Sequence, residues 1–150
     1  MKKRSSRIFL LVLSAMMVCT IGGAVTASAS NWQDTREIIY FSGNGDVIKT
    51  QSREKTDTSP MYLFNLPESG NVLSRNESIA TATNSPKFAY EGGVVCTATK
   101  NTYLAVGQKK YISSYVKERG YNWCNFEMYP QNKLPSTIQV KWSPDSIGAG

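Results

Sequence analysis

The chain has 150 residues, with 17 lysines and arginines against 11 aspartates and glutamates, and no histidine. The absence of histidine excludes Ser-His-Asp and Cys-His catalysis, together with histidine metal sites. Four of the 17 bases precede residue 30 and all 11 acids follow it, so residues 30–150 carry a net charge of +2, too small to predict a nucleic-acid partner.

The first 29 residues have the layout of a secretory signal peptide. A basic start precedes an apolar run over residues 8–25, and small residues follow up to Ala29. We therefore predict cleavage between Ala29 and Ser30. The prediction is of a secreted, extracellular protein that forms a single domain over residues 30–150 and has no stable membrane span after cleavage.

Two other interpretations of the same segment are open. The apolar run is barely long enough for an uncleaved membrane anchor, and its glycines and hydroxyl residues weaken it as a span. Lipidation at Cys19 is disfavoured because Val18, the residue before it, is not small.

Cleavage would remove Cys19 and leave two cysteines, Cys96 and Cys124. An exported protein can keep a disulfide, and closing a loop of this length would stabilise the fold by about 3–4 kcal/mol. We predict the Cys96–Cys124 disulfide, and the alternative is a pair of buried free thiols.

Short apolar and β-branched runs alternate with turn residues, which predicts an all-β fold, a small antiparallel β-sandwich or a barrel-like domain. The predicted strands cover residues 37–41, 47–55, 61–64, 72–73, 78–83, 93–100, 102–106, 123–129 and 136–142. Asn44-Gly45 predicts a tight reversal that joins the first two strands as a hairpin. A second hairpin is predicted around Lys100 and Asn101.

One segment has a helical pattern. Its apolar residues fall at i, i+1, i+4 and i+5, which is one face of a helix, and Gly120 stands where a C-terminal cap belongs. We therefore predict one short helix near residues 111–119, although the segment is rich in β-branched and aromatic residues.

Aromatic residues are the best candidates for a binding surface, because tyrosine and tryptophan stack on sugars and anchor protein partners. The alternative is that a small β domain uses them in its core and in cross-strand pairs. The candidate patch consists of Tyr111, Tyr115, Tyr121, Trp123 and Trp142.

Two motifs resemble a group of small secreted Gram-positive proteins whose shared domain has no assigned function. They are the segment over residues 111–121 and the tail Trp142-Ser143-Pro144-Asp145-Ser146. Residues 53–59 with Met61-Tyr62 are similar to the middle motif of that group. The resemblance spans residues 36–146 and implies export and a compact β-rich domain, without supplying catalytic residues.

No spacing marks a catalytic pair, a metal site or a cofactor loop, so we predict no enzyme activity and no cofactor. The predicted function is binding at or outside the cell surface to an extracellular protein or a cell-wall glycan. A variant of this prediction is a bacteriocin-like or immunity-associated protein. The alternatives are a carbohydrate-binding module and a hydrolase of cell-wall or other polysaccharide that works through carboxylates. Its candidate carboxylates are Glu91, Glu118, Glu127 and Asp145.

Overall fold

The computed structural model describes residues 33–45, 47–81, 93–99 and 101–146, and the predicted signal peptide and its cleavage site lie outside these ranges. The described residues contain nine strands and no helix, which confirms the all-β prediction. The strands are β1 (Thr35–Phe41), β2 (Ile48–Lys49), β3 (Arg53–Glu54), β4 (Met61–Asn65), β5 (Leu73–Thr81), β6 (Val94–Val95), β7 (Lys109–Ile112), β8 (Trp123–Pro130) and β9 (Ser136–Ser143).

The strands form two antiparallel sheets around one hydrophobic core. Sheet A has the order β1-β9-β4-β7, and sheet B has the order β2-β8-β5-β6, with β3 also paired to β8. Phe126 of sheet B meets Trp142 of sheet A edge to face, with ring centroids 5.6 Å apart. The predicted sandwich is thus confirmed.

The strand predicted at residues 123–129 rests on alternation of apolar and polar residues, because successive side chains of a strand point to opposite faces. In β8, Cys124, Phe126 and Met128 are fully buried, while Glu127 and Tyr129 between and after them are half-buried. The predicted strands at residues 37–41, 61–64, 123–129 and 136–142 are confirmed as β1, β4, β8 and β9.

The first predicted hairpin is wrong. β1 pairs with β9 in sheet A, whereas β2 and β3 pair with β8 in sheet B, so the chain changes sheets after β1. A tight Asn-Gly reversal needs positive φ at both residues, and Asn101 is the only non-glycine with positive φ among the described residues. Gly43 (φ 91°) turns the chain instead, where a Cβ would lie 2.6 Å from the Lys133 carbonyl oxygen.

The second predicted hairpin is also wrong. The segments around Cys96 and Leu104 both pair with β5 rather than with each other. The Cys96 N–H donates to the Ser78 carbonyl at 2.8 Å, and Leu104 exchanges two backbone hydrogen bonds with Leu73. β5 itself runs from Leu73 to Thr81, so the strands predicted at residues 72–73 and 78–83 belong to one long strand, and residues 82 and 83 of that prediction lie outside the described ranges.

The predicted helix at residues 111–119 is replaced by the end of β7 and a single turn. Burial alternates residue by residue from Tyr111 to Val116, which is the period of a strand, and Ile112 pairs with Met61 of β4. Only one helical turn follows, in which the Arg119 N–H donates to the Tyr115 carbonyl before Gly120 (φ 81°) ends it. The described residues contain no helix that is long and apolar enough to cross a bilayer.

A buried ion pair joins the segment after β3 to the segment after β9. The Lys55 Nζ lies 3.0 Å from Asp145 Oδ1, and both side chains are fully shielded from solvent. The ammonium also donates to the backbone carbonyls of Ser59 and Pro144, at 2.6 and 2.7 Å. All three of its protons therefore have an acceptor, which is the condition under which a charge can be buried.

The Asp145 carboxylate is equally well supplied with donors. Its Oδ2 accepts from the Thr56 backbone N–H at 3.0 Å and from the Thr56 hydroxyl at 2.7 Å. Burial raises the pKa of Asp145, but these two hydrogen bonds and the Lys55 ammonium outweigh it, so the pKa of this carboxyl lies below its ordinary value. The ends of the two sheets are thereby tied together through charged groups.

We expect Lys55→Met to lower the free energy of unfolding by about 3–5 kcal/mol, because it leaves the Asp145 charge buried without its counterion. Urea unfolding measures this loss. The double variant Lys55→Met/Asp145→Leu should recover part of it, since no unpaired charge remains. Lys141→Met, which breaks the more exposed Lys141–Asp34 pair, should cost less than about 1 kcal/mol. A loss for Lys55→Met no larger than for this control would contradict the argument.

The depressed pKa of Asp145 predicts acid sensitivity. Its stabilising contribution is complete above the unfolded pKa of about 3.9 and is lost as the pH falls from there through the lower folded pKa. Unfolding followed between pH 6 and pH 2 should show this decline, and Asp145→Asn should be less stable at pH 6 but lose less on acidification. Equal slopes for the two proteins would rule out Asp145 as the source.

Candidate functional site

Trp142 does not belong to a surface patch. Its side chain is fully buried in the core, and its indole Nε1–H donates to Glu37 Oε1 at 2.6 Å. Glu37 also accepts from the Gln51 backbone N–H at 3.0 Å. Burial raises the pKa of Glu37 although these donors and the nearby Arg53 oppose the rise. The prediction that Trp142 belongs to a binding surface is therefore wrong, because its ring is packed in the core.

The other four residues of the candidate patch lie in different elements and are unequally exposed. Tyr111 is half-exposed in β7 of sheet A, where its ring lies 5.5 Å from that of Tyr62. Tyr115 is also half-exposed and lies beside Arg119, whose guanidinium is 5.9 Å from the ring centroid. Tyr121 packs against the core, and Trp123 begins β8 in sheet B.

The predicted disulfide is absent, and Cys96 and Cys124 are buried free thiols. The sheet register gives the reason. Cys124 lies opposite Ala80 on one side of β5, whereas Cys96 bonds to Ser78 on the other side of β5. Two strand spacings separate the cysteine backbones by about 10 Å, beyond the ~7 Å that a disulfide can span between Cα atoms.

A surface that sequence reasoning missed lies on the outer side of sheet A. Register partners across all four strands form one row, which runs from Arg36 through Lys141 and Phe64 to Lys109. Other exposed or half-exposed side chains point outward on either side of this row. We call the whole set the sheet-A face, and it comprises Arg36, Ile38, Tyr40, Phe64, Lys109, Tyr111 and Lys141.

The sheet-A face combines cations with apolar groups. The Lys141 Nζ lies 2.8 Å from Asp34 Oδ2, and this hydrogen bond and charge raise the pKa of Lys141. Arg36 donates to Gln139 Oε1 at 2.6 Å and lies 3.9 Å from Glu68. Lys109 has no ion pair among the described residues. The row therefore presents three cations, one of them uncompensated, beside aromatic rings.

A polar cluster lies on the outer side of sheet B. Glu77 of β5 and Glu127 of β8 are direct register partners, and the Tyr129 hydroxyl lies 3.4 Å from the first and 2.6 Å from the second. This shared contact places the two carboxylates within the range of about 5–10 Å that glycoside hydrolases use. Glu77 also lines a cleft of about 320 Å³ with Arg75, Thr97 and neighbouring residues.

The charges around these two carboxylates do not suit acid catalysis. Lys49 lies 3.0 Å from Glu127, and Arg75 lies 3.6 Å from Glu77 and stacks on the Tyr129 ring. Burial raises the pKa of Glu127, but the hydrogen bonds from Tyr129 and Lys49 outweigh this effect. The pKa therefore lies below its ordinary value, and Glu127 is ionised at neutral pH. Each carboxylate faces a cation, and Glu127 in particular is not held protonated as a general acid must be.

The remaining candidate carboxylates stand apart. Asp145 is enclosed in the ion pair with Lys55, Glu118 lies in an exposed turn, and Glu91 is outside the described residues. Among the residues that the structure describes, no three acidic or cysteine side chains come close enough together to hold a metal ion.

Comparison with known proteins gives one match. A family model described as "Protein of unknown function (DUF2712)" matches residues 24–146. The chain belongs to this family. Neither the curated proteins nor the solved structures contain a match to the chain. Membership in DUF2712 agrees with the resemblance to a domain without an assigned function.

We expect both Cys96 and Cys124 to be alkylated when the protein is denatured without a reductant, because the sheet register holds them too far apart to bridge. In the native protein both should react slowly, since burial raises the pKa of the Cys124 thiol to about 12 and shields both side chains. Peptide mapping by mass spectrometry measures the modification. A linked Cys96–Cys124 peptide pair would show that the register is wrong.

Proposed function

We propose that this DUF2712 protein is a non-enzymatic, secreted binding domain that acts at or outside the cell surface, and that its sheet-A face binds an acidic cell-wall glycan. One observation carries the proposal: Arg36, Lys141 and Lys109 stand in a single row across sheet A. Strands in a sheet lie about 4.8 Å apart, so this row is long enough to meet several anionic groups along an extended chain.

The apolar groups beside the row favour a glycan over a small inorganic anion. Tyr111 is half-exposed near the end of β7, and its ring packs against the ring of Tyr62, which restricts its orientation. A fixed, exposed ring can stack on the face of a sugar. Phe64, half-buried within the row, adds apolar contact between two of the cations.

The polar cluster on sheet B supports the non-enzymatic part of the proposal. Glu77 and Glu127 are near enough to act as a pair, but Glu77 forms an ion pair with Arg75 and Glu127 forms one with Lys49. The narrower bacteriocin-like or immunity-associated role has no residue in its support, and it stays a prediction from size and export.

Co-sedimentation with protein-free bacterial cell walls tests the proposal. We expect the processed protein to bind intact walls, and to bind at least fivefold less after the anionic polymers are extracted. Binding should also fall between 0.05 and 0.5 M salt because exposed charges are screened. Tyr111→Ser and Lys109→Gln should each weaken binding by about fivefold, the loss of about 1 kcal/mol.

Matched controls lie elsewhere on the surface. Tyr103 is as exposed as Tyr115 but lies outside sheet A, and Lys117 is bonded to Asn122, so Tyr103→Ser and Lys117→Gln should leave binding unchanged. Equal binding to extracted walls, or equal losses from the control variants, would overturn the glycan assignment. New reducing ends released from the walls would instead overturn the non-enzymatic assignment.

A further inference from the structure

β1 is the one long, open edge among the described strands. It pairs only with β9, over seven residues in unbroken register, and no described strand pairs with its other side. The other edges are protected by shortness or charge: β2, β3 and β6 have two residues each, and β7 carries Lys109 and Lys110. Short or lysine-bearing edges resist pairing with other chains, whereas a long regular edge invites it.

The outward side chains of β1 are unusually apolar for an open edge. Ile38 is 66% exposed and Tyr40 is 71% exposed, and Arg36 lies beside them on the same side of the strand. The inward residues Thr35, Glu37 and Ile39 are only half-buried. Both faces of the strand are therefore incompletely covered within one copy of the chain.

Hydrogen bonds of β9 reveal which backbone groups of β1 are available. The carbonyls of Gln139 and Thr137 accept from Leu66 and Gly70, so these two residues direct their backbone groups away from β1. Their register partners on β1 are Ile38 and Tyr40, which therefore have their N–H and C=O groups on the open edge, as Arg36 does by alternation. The exposed side chains and the available backbone groups thus belong to the same residues.

We propose that β1 pairs antiparallel with β1 of a second copy of this chain, about a two-fold axis at Ile38. This register sets Ile38 opposite its own copy and sets Arg36 opposite Tyr40 on both sides of the axis. Every open N–H of Arg36, Ile38 and Tyr40 then meets a carbonyl of the other copy. The two Arg36–Tyr40 contacts place a guanidinium against an aromatic ring, a favourable pairing that the symmetry forms twice.

The self-complementarity of β1 indicates a second copy of this chain as the partner. A strand from an unrelated protein would satisfy the backbone groups equally, but β1 itself provides both the cation and the ring at matching positions. Pairing would join two copies of sheet A into one eight-stranded sheet with two sheet-A faces side by side. The pairing does not rest on the proposed glycan binding, although both involve Arg36, and a bivalent surface would strengthen such binding.

Sedimentation equilibrium of the processed protein measures the association. We expect a dimer whose dissociation constant rises at least 100-fold in Ile38→Lys, because two like charges would meet at the axis. Ile38→Pro should have a similar effect, because it removes an N–H on the open edge that β9 does not use. Tyr111→Lys, at the opposite edge of sheet A, should leave the dimer intact, and circular dichroism should show that all variants are folded.

Cross-linking tests the register itself. Ile38→Cys should link to its own copy with a short bis-maleimide, whereas Tyr111→Cys should not, and the buried native thiols should not interfere. A protein that stays monomeric to several hundred micromolar would overturn the proposal. So would a dimer that Tyr111→Lys dissociates and Ile38→Lys does not, or a different protein recovered on β1.

Discussion

The Lys55–Asp145 ion pair is the constraint on which the ends of this fold depend. Lys55 directly follows β3 of sheet B, and Asp145 follows β9 of sheet A. A fully buried ammonium and carboxylate cannot tolerate separation, since each would lose the partner that offsets its desolvation. The polar segments at residues 53–59 and 142–146 therefore have a structural explanation: they supply the two charges and the donors and acceptors around them.

The position of β5 and β8 at the centre of sheet B accounts for several other features. β5 separates the two cysteines, which are therefore free thiols in this fold. It also brings Glu77 opposite Glu127, while Arg75 and Lys49 from the flanking positions neutralise the pair. Each carboxylate of this pair beside a cleft therefore has a cation as its partner.

Sheet A has a cationic and aromatic outer surface on the opposite side of the molecule. The core side of sheet A holds Trp142, one of the aromatic residues predicted for the binding patch, and its outer side holds the row of cations, with Tyr111 beside Lys109. The row could not be found in the sequence, because Arg36, Phe64, Lys109 and Lys141 are far apart along the chain. Only the pairing of four strands makes them neighbours.

The sequence by itself determined the all-β class and the strands in which burial alternates with period two, such as β8 and β9. Those features depend on neighbouring residues and on the geometry of an extended chain. It misassigned residues 111–119, where a helical spacing of apolar groups also fits a strand followed by one turn. The tertiary structure alone decided which strands pair, which ring is buried and whether two cysteines meet, because these outcomes depend on contacts between distant segments that no local pattern encodes.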